Sequence, residues 1–135
     1  MIHALVEAAW VFGEPEWILM AEKAAERIWD TCVHGDNNLH SVLYGEKARF
    51  NAYLDDYAAM ILAFLTLSSK SDWVNPGSSA GYRAKAEALL KTVRHHFSDS
   101  SSPGYFFTSD THETLVRRSK EVTDNAVPCG NSMLL

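Results

Sequence analysis

Cysteine is scarce in this sequence: Cys32 and Cys129 stand far apart in 135 residues, in neither a CxxC pair nor a metal-ligand spacing. That excludes a disulfide framework and reads as two reduced, inert thiols of a cytosolic protein. Basic runs are missing too. Twelve Lys and Arg against 17 Asp and Glu leave a net charge of −5, which disfavours nucleic acid and anionic membrane as partners and suits a small neutral or polar ligand better. No charged segment precedes an apolar leader, no apolar run reaches membrane-spanning length, and no N-x-[ST] acceptor occurs. A cytoplasmic location is expected. What remains is globular: 47% hydrophobic and 21% charged residues, enough for one domain with a real core.

The central stretch is Tyr53-Leu54-Asp55-Asp56-Tyr57-Ala58, followed by an apolar run to Leu67 in which only Thr66 is polar. An aspartate at the mouth of a helix caps backbone N–H groups and suits the positive end of the dipole. The spacing therefore predicts a helix starting at Asp55 or Asp56, apolar all round and so enclosed by other elements. Ile2 to Phe12, with its stripe Leu5, Ala8, Ala9 and Phe12, is a second inner helix. Gly13 ends it, and Pro15 opens an amphipathic outer helix over about Glu16 to Cys32.

Val33 to Asn38 has loop composition; Leu39 to Tyr44 and Lys47 to Tyr53 read as a hairpin around Gly45-Glu46. Ser79 is placed to cap a further outer helix from Ala80 to about Phe97, striped by Tyr82, Ala86, Leu89, Leu90, Val93 and Phe97. Tyr105 to Thr108 and Thr114 to Arg117 are expected to pair as short strands, and Met133 to Leu135 begins another apolar helix. Trp17 and Trp73 occupy equivalent places, 73 − 17 = 56 residues apart. The fold expected from this alternation is all-α: a piece of an α/α toroid, about two helical hairpins with short β-ribbons between them. Its repeats would span about 1–53 and 54–130, with a further inner helix from 131 to 135.

Three ordered motifs carry a resemblance. Tyr53-Leu54-Asp55-Asp56-Tyr57-Ala58, Gly104-Tyr105-Phe106-Phe107-Thr108-Ser109, and Lys120-Glu121 with Asp124-Asn125-Ala126-Val127-Pro128-Cys129-Gly130-Asn131-Ser132 resemble the C-terminal region of a family of thioredoxin-domain proteins that includes spermatogenesis-associated members. The likeness covers essentially the whole chain. It implies a partial (α/α)6 toroid, a fragment of a domain similar to six-hairpin glycosidases and N-acylglucosamine 2-epimerases, without the thioredoxin-like part. Cys129 departs from the Ser more usual there.

The resemblance implies a site where the N-termini of inner helices gather. Carbohydrate isomerisation, epimerisation or hydrolysis in the full-length protein would need a carboxylate facing the cavity as acid/base. Asp56 is the first candidate, ahead of Asp55 and Glu121. Tyr57, Asn131, His112 and Lys120 are the candidate substrate-binding residues, and a small sugar-like molecule the expected ligand. The plainer reading makes one aspartate and Asn131 helix caps, each worth ~1 kcal/mol, and buries Tyr57 as packing. Lys120 and Glu121 would then brace a loop, and Trp10, Trp17, Trp29 and Trp73 would be core. The histidines have no metal spacing, so neither metal nor cofactor is expected. A non-catalytic interaction module accompanying a redox domain is the alternative. The fragment alone is expected to be inactive and to self-associate through its exposed inner helices.

Overall fold

The chain turns where its glycine and proline stand. Gly13 adopts φ 72°, returns its N–H to the Ala9 carbonyl and closes α1 (Ile2–Phe12); Pro15 then occupies the first position of α2 (Pro15–Cys32) with Glu16 in the first turn. The computed structural model describes residues 1–113 and 116–134. After α2 come β1 (Val33–His34), β2 (Asn38–Tyr44) and β3 (Lys47–Asn51), then α3 (Leu54–Lys70), a 3-10 turn at Ser71–Trp73, α4 (Ser79–His96) and α5 (Gly130–Leu134).

Helix α3 is the axis of the molecule and touches α1, α2, α4 and α5. Its Leu54, Tyr57, Ile61, Phe64 and Leu67 meet Val6 and Ala9 of α1, Ile18, Ala21 and Ala25 of α2, and Tyr82, Ala86, Leu89 and Val93 of α4 in one core. Trp29 adds an edge-on contact to Phe64 at 5.6 Å, a geometry aromatic pairs favour.

The expected all-α class and partial toroid give way to a mixed fold. The strands form a three-stranded antiparallel sheet in the order β1-β2-β3, with Val33 opposite Leu39 and Val42 opposite Arg49. The segment from Val33, expected as loop, thus supplies a strand. Two residues are too short to show a period in the sequence, and their pairing comes from β2 folding back across Asn37, which has φ 64°. The sheet is joined to the helices as well: the Leu39 N–H donates to the Tyr57 hydroxyl at 2.9 Å.

The second ribbon is also corrected. Tyr105 forms an isolated bridge to Ser98, while Phe106 and Phe107 donate their N–H groups to the carbonyls of Phe97 and Ser119. Of its expected partner strand, Thr114 and Leu115 lie outside the described residues. Nor are the inner helices fully enclosed. Trp10, Val11 and Phe12 on α1 are 58%, 72% and 70% exposed, and Leu65 on α3 is exposed as well. Trp73 is 45% exposed, so of the four tryptophans expected in the core only Trp17 and Trp29 pack against it.

Candidate functional site

The acidic pair opens α3 and divides its work. Tyr53 is the N-cap, and Asp56 at the third helical position turns back: its Oδ2 accepts the Tyr53 N–H at 3.0 Å, while the Asp56 N–H donates to the Tyr53 carbonyl at 3.1 Å. The same oxygen accepts the Ser41 hydroxyl from β2 at 2.9 Å. Asp55 points the other way, and its Oδ1 accepts the Gly130 N–H at 2.6 Å, at the mouth of α5. Each carboxylate therefore satisfies a backbone donor at a helix start that would otherwise lack one. Asp56 faces the sheet and Asp55 faces the Gly-Asn turn.

Gly130 is required where it stands. A Cβ there would lie 2.7 Å from Asp55 Oδ1 and 2.8 Å from Leu54 Cγ. Asn131, 2% exposed, is saturated: Oδ1 accepts the Tyr105 N–H at 2.7 Å, and Nδ2 donates to the carbonyls of Tyr105 at 3.0 Å and Glu121 at 2.8 Å. Gly104, at φ 86°, clears room for that amide, because a Cβ would stand 3.1 Å from Asn131 Oδ1. Glu121 contributes its carbonyl; its side chain is exposed. At the same turn Asp124 accepts the Cys129 N–H at 3.0 Å, and hydrogen bonds from Ser132 and then Cys129 hold its carboxyl below the usual carboxylate range.

Tyr57 is buried, and its hydroxyl pKa is pushed up by that burial, with the Leu39 N–H opposing and Asp56 adding to the rise. Lys120 is turned away from the aspartates. Its Nζ donates to the carbonyls of Ser102 and Pro103 at 3.0 and 2.9 Å and pairs with Asp99 Oδ2 at 2.8 Å. That ammonium, followed by hydrogen bonds from Ser101 and Ser102, holds the Asp99 carboxyl well below its ordinary value.

His112 stands beside Asp56's cap. Its ring stacks on Tyr53, whose ring also stacks on Phe107 at 4.8 Å. The Ser109 backbone N–H donates to His112 Nδ1 at 3.1 Å, and a backbone N–H can only donate. Nδ1 is therefore an acceptor, and the ring proton sits on Nε2, 3.2 Å from the Asn51 carbonyl. Ser109 Oγ, 2.7 Å from Nδ1, completes a Ser-His contact, but Ser109 is buried and the adjoining cavity, between Asn51, Tyr57, His96 and Ser109, measures about 10 Å³. It has room for one water molecule and none for a substrate.

The structure thus brings Asp55 together with Asn131, and Asp56 together with Tyr57 and His112, while Lys120 and the Glu121 side chain go elsewhere. Ser41, outside every motif, completes the arrangement with Gly130 and Ser109, which stand in the motifs but show no role there, since the partners lie up to 75 residues away. Among the described residues, no group of three or more His, Cys, Asp and Glu is placed to hold a metal, and no helix is long and apolar enough to cross a membrane. Fold and site together describe a helical-hairpin protein with a small antiparallel sheet and a polar seam closed by helix caps. Scanned against protein-family models and curated proteins, the chain matches none.

Proposed function

We propose that this chain is part of the helical C-terminal region of a thioredoxin-domain protein and works there as a non-catalytic interaction unit accompanying the redox domain. The observation that carries this reading is a contrast. The carboxylates that chemistry would need are engaged with the backbone N–H groups of Tyr53 and Gly130, whereas Trp10, Val11 and Phe12 form an exposed apolar end on α1. Apolar patches of this kind mark contact surfaces, and Trp anchors many of them. Buried free thiols at Cys32 and Cys129 fit a reducing, cytoplasmic setting.

Nuclear magnetic resonance titration with a thioredoxin-like domain added in trans tests the proposal. Shifts confined to the α1 end and abolished by Phe12→Asp support it; shifts at the α3 start, or none, overturn it.

The second reading, a carbohydrate-active site in the full-length protein, draws on one feature. Asp56 Oδ1 has no hydrogen-bond partner among the described residues, and it stands at a rim with Ser41, Tyr53 and His112. A monosaccharide panel on the full-length protein, wild type against Asp56→Asn, separates the readings. Binding that the substitution removes favours the sugar site, and indifference to it sinks that idea.

A further inference from the structure

Away from the α3 rim, α2 carries a buried carboxylate that lacks a full set of partners. Glu22 is 6% exposed; its Oε2 accepts the Asn75 amide at 3.0 Å, and its Oε1 is buried with no hydrogen-bond partner among the described residues. Three hydroxyls share that condition among the described residues: Thr108, elsewhere in the fold, and Ser71 and Ser78. The two serines belong to the turn that grips Glu22: the Ser71 carbonyl accepts the N–H groups of Val74 and Asn75 at 3.0 and 2.8 Å, and the Asn75 carbonyl accepts the Ser78 N–H at 3.1 Å. Asn75 is thus bonded through its backbone to both serines and through its side chain to Glu22.

The nearby cation is already engaged. Lys85 pairs with Glu26, one helical turn beyond Glu22, and lies over the rings of Trp29, Phe64 and Tyr82. Glu22 itself makes no ion pair among the described residues. The excess negative potential is felt by Tyr82, whose hydroxyl pKa is raised first by burial and then by Glu22 and Glu26. A buried anion needs a partner, and three oxygens from one carboxylate and two alcohols are hard donors suited to a hard cation. One carboxylate matches a single positive charge; a divalent ion draws on more carboxylate or on many more oxygens.

We propose that Glu22 Oε1 and the hydroxyls of Ser71 and Ser78 hold an alkali metal cation, sodium or potassium, beneath the turn that leads from α3 to α4. The site would also fix Trp73, which lies in the same turn and meets Trp10 edge-on at 5.6 Å, so that tryptophan fluorescence reports the ion.

The experiment uses the whole chain in N-methylglucamine chloride, with sodium, potassium or choline chloride exchanged in at constant ionic strength, reading melting temperature and tryptophan emission. An ion bound by the native state raises the melting temperature with the logarithm of its concentration once past its dissociation constant. Sodium or potassium should do this, choline should not, and Glu22→Gln should remove the response. Ser78→Ala, the milder change, should move the midpoint to about tenfold higher salt, a loss of 1.4 kcal/mol. Equal stability in all salts, a response that survives Glu22→Gln, or one given only by calcium would overturn the proposal. If Glu22→Gln does not fold, an unmoved Ser78→Ala midpoint overturns it as well.

Discussion

Gly130 bears the tightest steric demand among the glycines. A methyl group at this position would meet Asp55 Oδ1 at 2.7 Å and the Leu54 carbonyl carbon at 3.1 Å, and the second of these is backbone that cannot rotate away. Gly130→Ala should therefore lower stability by roughly 1–3 kcal/mol, measured by urea denaturation; a neutral result would show that α5 is not seated on α3. The caps differ in kind. Asp56→Ala removes the acceptor for the Tyr53 N–H and should cost about 1 kcal/mol, whereas Asp56→Asn keeps an acceptor and should cost only part of it. Equal losses would mean that the negative charge, rather than the hydrogen bond, is what matters. Tyr57→Phe strips the acceptor from the Leu39 N–H, a buried donor, and should cost about 1–3 kcal/mol. Hydrogen exchange at the Leu39 amide should rise with it.

At the scale of elements, the long connection from α4 to α5 is irregular yet firmly tied. Asn131 holds Tyr105 and Glu121, Arg118 donates to the carbonyls of His96 and Thr108, and Lys120 gathers Asp99, Ser102 and Pro103. Polar clips replace a strand pair here, which gives this region a pH dependence of its own. The carboxyls of Asp99 and Asp124 have lowered pKa values in the folded chain. A carboxylate shifted in this direction stabilises fully above its unfolded pKa, about 4, and the contribution fades as pH falls below that toward the folded value. Acidification below about pH 4 should thus loosen residues 98–113 and 116–132 before the helical core melts. Amide exchange at pH 3 against pH 6 checks this, and Asp99→Asn should flatten the difference around Lys120. Uniform protection at both pH values would contradict it.

For the whole molecule the open question is what meets its uncovered apolar surface. Besides the Trp10 end, a groove of about 560 Å³ runs between Ile2 and Leu5 of α1, Ala59, Met60 and Ala63 of α3, and Val127, Pro128 and Met133 beyond. Continuous exposed apolar surface drives association when chains are concentrated. The chain is expected to self-associate at micromolar concentration, with sedimentation showing a mass that rises with loading. Leu65→Glu or Val11→Glu should return it to a monomer without lowering the melting temperature much. A single monomeric species in the wild type across that range would refute the expectation.

Much of this was legible in the residues. The 3.6-residue stripes and the Gly13-Pro15 punctuation placed α1 and α2 to within a residue or so, and the stripe from Tyr82 to Phe97 placed α4, because burial of one helical face and end-capping are local properties. The Gly45 hairpin was visible for the same reason. Local pattern has no access to direction. It could not tell that Asp55 looks to Gly130 and Asp56 to Ser41, nor that Trp10 and Trp73 would meet edge-on at a half-exposed end, since each depends on an element distant in sequence; the Val33–His34 pairing is local but too short to show a period. The sequence determined which segments coil and where they stop; the tertiary structure alone decided that the acidic pair became two caps on different helices, because only packing α5 and the sheet against the α3 start brought the orphan N–H of Gly130 and the hydroxyl of Ser41 within hydrogen-bond reach.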